Sequence, residues 1–399
     1  MNRRDFLVRS AATGVAATLA ARSICAASDE RKLRVGVIGH TGRGDYGHGL
    51  NTMWLNLPET EIVAVADPDA QGRAACLRKL GVSRGFDDYR QMLVEMKPDL
   101  VAIGMRHVDQ HRDVALAAVE AGARGIYLEK PFCRTPAEAD EIVAACERSH
   151  TKVAVAHRNR YHPALPVIAR LLQDGAIGKV LELRGRGKED ARGGALDLYV
   201  LGSHVLDQMH YFGGKPVACS ATVLVDGRPI ERADVQEGAE GIGPLAGNEV
   251  HARYELERGI PAFFDSIHDA GTKQAGFGLQ IIGTEGIIDL RMDQEPLAHL
   301  LAGSPFRPSG KPRSWVPISS AGIDQPEPDS ALGQELSAHT VSGRDLIAAV
   351  REDRQPLCNM YEGRTVIEMI SAVFESQRLG GQRVTFPLAT RENPLTKLA

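Results

Sequence analysis

Five short apolar runs between residues 33 and 157, separated by stretches of helical periodicity, constrain this chain more than any other feature. They read "LRVGVIG", "EIVAVAD", "DLVAIG", "GIYLE" and "KVAVAH", and turn or polar residues bound each one. Strands look like this when both faces of their sheet are covered. Between them, Val114, Ala117, Ala118 and Ala121 recur at helical spacing with Gly122 as a stop. Ala139, Ile142, Val143 and Cys146 do the same after Thr135-Pro136, a helix-starting pair. Alternation of β and α at this spacing predicts a parallel, doubly wound Rossmann sheet over residues 29–158.

The pattern changes after residue 158. Leu165, Ile168 and Leu172 predict one helix, closed near Gly175. Longer strand candidates follow: "KVLELRGRG", "VACSATVLVD", "NEVHARYELE", "PAFFDSIHD" and "LQIIGTEGIIDLRM", with hairpin-like breaks at Arg258-Gly259 and Glu285-Gly286. Residues 159–399 therefore form a second α+β domain with a large, mostly antiparallel open sheet. Residues 301–336, rich in Pro, Gly and Ser, are expected as a long surface loop. Val366, Ile370, Val373 and Phe374 form the stripe of a closing helix.

The first 28 residues have a different character. Arg3 and Arg4, then Phe6-Leu7, precede a mild apolar stretch from Ala11 to Ala21, and small residues close it near Ala26–Ser28. This is the layout of a secretory signal, and the paired arginines resemble a Tat signal. It implies the Tat machinery as a partner and a periplasmic or otherwise exported mature protein. The net charge of −4 gives no reason to expect nucleic acid as a partner. Outside the signal five cysteines remain, Cys76, Cys133, Cys146, Cys219 and Cys358, without C-x-x-C spacing, so a disulfide framework or zinc site is not expected.

The first strand runs into "GHTGRGDYGHG". Counted as G-x-G-x-x-G, Gly39 is the first glycine and Gly44 the third, with Thr41 in place of the second and Gly42 beside it. With Arg43, this turn and a following helix N-terminus would meet a pyrophosphate. Asp67 ends the second strand, where an acid bonds the ribose hydroxyls of NAD and repels the extra phosphate of NADP. Arg73 nearby leaves NADP possible.

The glycine loop, Asp67, "DDYRQML", "EAGARGIYLEKPFCRTPAEADEI", "DGAIGKV" and "SQRLGGQRVTFP" stand in an order that resembles the glucose–fructose oxidoreductase / inositol dehydrogenase (Gfo/Idh/MocA) family. The resemblance covers about Leu33 to Pro387. It implies a Rossmann domain followed by an α/β domain whose open sheet makes homodimer or homotetramer contacts. It places Lys130 of "EKP" where nicotinamide, its ribose and the substrate meet, with Glu129 on Lys130 or the ribose. It also makes His111 the cofactor-side residue that opens the helix after the fourth strand. "GGALDLYVLGSHVLDQMHYFGG" resembles the family's helix carrying an Asp and a His. His204 matches as the catalytic base, but Val200 stands where the Asp usually lies. Asp197, two turns earlier, is too far for a direct bond to His204, and Asp207, three residues later, is within reach. "HRNRYHP" would put Arg158, Arg160 and Tyr161 at the mouth between domains, with Arg160 and Tyr161 touching substrate. His107 and His111 lack a third ligand at suitable spacing, so no metal is expected.

These residues imply an exported NAD(P)-dependent oxidoreductase that transfers hydride from a sugar, polyol or related polyhydroxy compound, with its cofactor tightly bound. The alternative is an NAD-dependent glycosidase that oxidises transiently and eliminates, since such enzymes dispense with two-carboxylate chemistry. A catalytically dead sugar-binding protein is the third reading, and intact Lys130 and His204 oppose it.

Overall fold

The computed structural model describes residues 31–272 and 276–398; the proposed signal lies outside them. Six strands, β1 (Leu33–Ile38), β2 (Thr60–Ala66), β3 (Gly85–Phe86), β4 (Leu100–Ile103), β5 (Gly125–Leu128) and β6 (Lys152–Val155), pair in parallel in the order β3-β2-β1-β4-β5-β6. Successive side chains point to opposite faces of a strand. Val35, Val37, Leu100, Ala102 and Tyr127 enter one apolar layer, while Ile38, Val101, Ile103, Ile126 and Leu128 enter the other. Both layers are covered, which is why the strands are apolar throughout.

The connections are helices α1 (Ala70–Leu80), α2 (Tyr89–Met96), α3 (His111–Glu120) and α4 (Pro136–Ser149). Thr135 caps α4 by accepting a hydrogen bond from the Glu138 N–H at 3.2 Å, and Pro136 occupies the first turn, where its missing N–H costs nothing. After β1 the expected helix is absent. The chain makes consecutive turns from Thr41 to Thr52, then a single 3-10 turn over Met53–Asn56. Gly42, Gly44, Gly47 and Gly49 all have positive φ, as does Asp45 at 53°, and a right-handed helix cannot pass through such residues.

The second sheet is built around β7 (Val180–Arg186). It pairs parallel with Pro261–Ile267 and antiparallel with Gly278–Gly283, and the remaining neighbours are antiparallel. β8 (Pro216–Val225) lies on the far side of Glu249–Leu256. α5 (Ala164–Gln173) precedes β7, and α6 (Ala195–Val200) and α7 (Gly202–Gly213) lie between β7 and β8. One face of the sheet is buried, with Leu183, Val223, Tyr254 and Phe264 inaccessible. The other exposes Arg184, Thr222 and Arg253.

The stretch expected as one long loop is partly ordered into elements. Val316–Ser319 and Gly322–Ile323 extend the sheet edge, and α8 (Leu332–Ser337) follows. Pro317 within a four-residue strand hid that alternation. α9 (Thr340–Glu352) and α10 (Met360–Arg378) are the last α-helices among the described residues. The α10 stripe of Val366, Ile370, Val373 and Phe374 is buried, as its spacing predicts. α9 packs elsewhere: Leu346, Ile347 and Val350 join Val35, Val37, Leu100 and Tyr127 in one layer. One face of the first sheet is therefore covered in part by a helix from the far end of the sequence, beside Met53, Trp54, Leu57 and Leu80. The described cysteines are all buried and free.

Candidate active site

β5 stops at "EKP" because Pro131 has no N–H to continue a ladder. The Glu129 N–H still bonds the Ile103 carbonyl at 3.0 Å, and its fully buried carboxylate turns toward the carboxyl edge of the sheet. Glu129 Oε1 lies 2.6 Å from His48 Nδ1, whereas Oε2 is buried without a partner. Burial alone would raise the Glu129 pKa. The hydrogen bond and charge of His48, with Lys130 and His339, more than offset it and hold the carboxylate below its usual range.

Lys130 is nearly inaccessible, and its Nζ donates to the Val200 carbonyl at 2.8 Å. That carbonyl is free because the helix breaks at Leu201. The His204 N–H bonds Leu201 O, so nothing in the helix claims Val200 O. The main chain of the very residue that replaces the family's Asp thus supplies the polar contact. Burial lowers the Lys130 pKa, and adjacent Glu129 only partly restores it.

His204 stands in the first turn of α7, partly accessible, with its ring edge-on to His157 at 5.1 Å between centroids. Burial, backed by the positive charge of Lys130 and then of Arg158, holds its pKa well below the usual value. Its imidazole is neutral at neutral pH and can accept a proton. Lys130 and His204 line one cavity of about 410 Å³, together with His48, Arg158, Lys188, Asp293, Ser337 and His339. Phe277, Met292, Leu201 and Ala156 form its apolar wall.

A second cavity, of about 260 Å³, opens at the ends of β1, β2 and β4. Ile38, Gly39, Ala66, Met105 and Val114 line it beside Asp67, Asp87 and Asp88, and no lysine or arginine does. The Asp67 carboxylate accepts from Thr41 N–H (3.1 Å), Thr41 Oγ1 (2.7 Å) and Asp69 N–H (2.9 Å), fixing the turn after β1. Arg73 donates to the Asp67 carbonyl, not toward the cavity. Arg43 reaches over the loop to Asp109 at 2.7 Å.

Several expected site residues lie elsewhere. His111 does open α3, but it is buried and lines neither cavity. Its nitrogens lie 2.8 Å from Met105 O and 2.9 Å from Pro131 O, tying two strand ends together. Asp197 is buried, accepting from Ser266 Oγ at 2.6 Å and Glu189 N–H at 3.1 Å. Asp207 does not orient His204. It faces Arg160 at 3.2 Å, and burial pushes its pKa up to about 6 against the pull of that guanidinium. Arg160 is spent between Asp207 and Glu362 (2.6 Å), and buried Tyr161 holds the Cys358 N–H at 3.3 Å. Arg158, not Arg160, lines the cavity. His157, Asp207 and Cys358 bring donor atoms within 4.8 Å of one another. Arg160 already supplies the positive charge a metal would bring there.

Reasoning from sequence missed His48, Lys188, Asp293, Ser337 and His339. His339 carries one signal, since it precedes the α9 stripe. It has a left-handed φ of 57°, and its Nδ1 lies 2.7 Å from the Tyr127 hydroxyl.

Comparison with known proteins agrees with this architecture. The profile of the Gfo/Idh/MocA oxidoreductase family, NAD-binding Rossmann fold, matches residues 33–157, and that of its C-terminal alpha/beta domain matches residues 151–386. D-apiose dehydrogenase of Paraburkholderia graminis is 25% identical over 343 residues, 82% of this chain and 84% of its own. The NAD-dependent scyllo-inositol 2-dehydrogenase of Bacillus subtilis is 25% identical over 269 residues, 65% of this chain and 74% of its own. The solved structure of levoglucosan dehydrogenase in complex with NADH and levoglucosan superposes with a TM-score of 0.69 at 22% identity, covering 90% of this chain and all of that one, which speaks to the fold. The parallel sheet with its two edge cavities, the open second sheet and both profile matches make this chain an oxidoreductase of the Gfo/Idh/MocA family.

Proposed function

We propose that the protein oxidises a secondary alcohol of a sugar, polyol or related polyhydroxy compound, with NAD as the acceptor. The observation that carries this is the convergence of a buried ammonium and a neutral imidazole on one cavity at the carboxyl edge of the Rossmann sheet. Named relatives that act on apiose and scyllo-inositol support the substrate class.

The residues fit the cofactor. Glu129 Oε2 is a buried acceptor without a donor, suited to a ribose hydroxyl at the nicotinamide end. The smaller cavity is apolar with an acidic rim and no cation, which suits an adenosine carrying free ribose hydroxyls and disfavours an added phosphate. NAD, when bound, would supply the acceptor for the hydride that leaves the carbinol carbon. His204 takes the hydroxyl proton on its neutral imidazole. Lys130 moves its ammonium from the Val200 carbonyl toward the developing alkoxide and stabilises it by charge. Phe277, Met292 and Leu201 exclude water from the reacting face.

Export through the Tat route is part of the proposal, supported by Arg3-Arg4-x-Phe6-Leu7. No NAD pool is expected outside the cytoplasm, so the cofactor would be loaded before export and kept. A homodimer or homotetramer through the open sheet is proposed on the family pattern. Purified protein incubated with a panel of sugars and polyols tests the reading. One addition of substrate should change the reduced-nicotinamide absorbance by at most one equivalent per site, and denaturation should release NAD(H). Protein that arrives empty and turns over only on free NAD is an ordinary dehydrogenase. Normal export and trimming of an Arg3→Lys, Arg4→Lys variant would remove the Tat reading.

A further inference from the structure

Two lysines and an arginine line the larger cavity, and the two lysines are already answered. Lys188 Nζ lies 3.0 Å from the Asp293 carboxylate. Lys130 follows Glu129 in the chain and holds the Val200 carbonyl at 2.8 Å. Arg158 differs. It is half-buried, its Nη1 donates to Ser337 Oγ at 3.0 Å, and no carboxylate among the described residues pairs with it. Arg160, on the same 3-10 turn (Arg158–Tyr161), is braced by two acids, Asp207 and Glu362. One turn thus presents a fully neutralised guanidinium to the interior and an unneutralised one to the cavity.

A guanidinium drawn partly out of water with no anion gives up hydration that one serine hydroxyl replaces only in part. Its planar fork matches a carboxylate, which takes two parallel N–H donors. A phosphate monoester carries nearly two charges, whereas the cavity has a single cation in excess.

We infer that the substrate is a sugar acid, a polyhydroxy carboxylate held at Arg158 and Ser337 while its reacting hydroxyl lies at Lys130 and His204. This rests on the oxidoreductase reading above. Lys188 and Asp293, paired across the cavity, are left to hold the remaining hydroxyls.

The test is a set of matched ligands measured on the holoenzyme. Dissociation constants are taken for glucuronate against glucose, galacturonate against galactose, gluconate against sorbitol, and glucose 6-phosphate as the phosphate arm. In at least one pair the acid should bind ten-fold or more tightly than its neutral partner. Arg158→Gln should weaken that acid by ten-fold or more and leave the neutral partner within two-fold, and Arg158→Lys should recover part of the loss. Neutral partners that bind as well as every acid, acids that do not bind at all, a phosphate that binds tightest, or an Arg158→Gln loss equal for acid and neutral ligand would each overturn the inference. Turnover separates it from the parent reading. A sugar acid that binds in this pattern without changing nicotinamide absorbance sinks the oxidoreductase reading alone, and a neutral sugar turned over faster than its acid sinks this inference alone.

Discussion

Lys130 is held by one carbonyl and His204 by no polar side chain, so both can move charge without breaking a network. Lys130→Ala and His204→Ala should each lower turnover by about 10²-fold or more, the scale of general acid–base and electrostatic terms. Circular dichroism should stay native, since neither side chain fills the apolar core. The pH profile of kcat/KM gives an independent check. The base must be deprotonated, and the His204 pKa lies well below 6.5, so the acid limb should fall well below pH 6.5. The ammonium must be protonated, and the Lys130 pKa is lowered from 10.5, so the alkaline limb should come below pH 10.5. An acid limb near pH 6.5 would mean that a solvated histidine is the base. The acid, base and proline that stop a buried strand drew attention to Lys130, but by themselves they read as a surface ion pair, and only resemblance placed it in a site. His204 was legible only through resemblance, and its surroundings were not. The Val200 carbonyl is freed by a backbone break, and no side-chain pattern announces that.

At the scale of elements, the turn after β1 is the place where the sequence misleads. A glycine motif beside a strand predicts a helix, yet four left-handed glycines close together prevent one. Their count was visible, but their φ values come from neighbours. A Cβ on Gly44 would lie 2.5 Å from Arg106 N, whereas one on Gly42 meets nothing within 4 Å. Both have positive φ, so Gly42→Ala should cost about 1 kcal/mol and Gly44→Ala clearly more, about 2–4 kcal/mol, by urea denaturation. Nucleotide affinity should fall with Gly44→Ala in step. Equal effects would show that the Arg106 backbone yields freely. The helices α4 and α10 and the long strands were legible because each has one periodic apolar face and a clean stop. α9 was not, because its stripe serves the first sheet rather than its own neighbourhood.

Three histidines around the larger cavity, His157, His204 and His339, are held neutral by their surroundings. Burial lowers His157 to about 3 and His339 to about 4, and lowers His204 well below its usual value. As pH falls below 6.5 the unfolded chain binds protons that the native state refuses, so stability is lost on acidification. The loss is up to about 1.4 kcal/mol per pH unit for each histidine until its native pKa is reached. Asp207 acts in the opposite sense: raised from 3.8 to about 6, it favours the native state at the low end of that window and loses this as pH rises. Asp197 and His251, also raised, act with Asp207, and His107, also lowered, acts with the three imidazoles. The three imidazoles carry the large shifts, so Tm should fall between pH 6.5 and about 4, and His339→Asn should flatten the decline. Asparagine tolerates the left-handed φ and can still accept from Tyr127. A Tm constant over that range would mean that these imidazoles are hydrated.

α9 covers Val35, Leu100 and Tyr127 from residues near 346, and it reaches them late in the life of the chain. A ribosome adds about 5–20 residues per second, so roughly 10–40 s separate emergence of β6 from that of α9. Throughout that interval the nascent nucleotide-binding half carries an apolar face only partly covered by Met53, Trp54, Leu57 and Leu80, a natural client for a holdase chaperone, and it can be finished only when translation is nearly over.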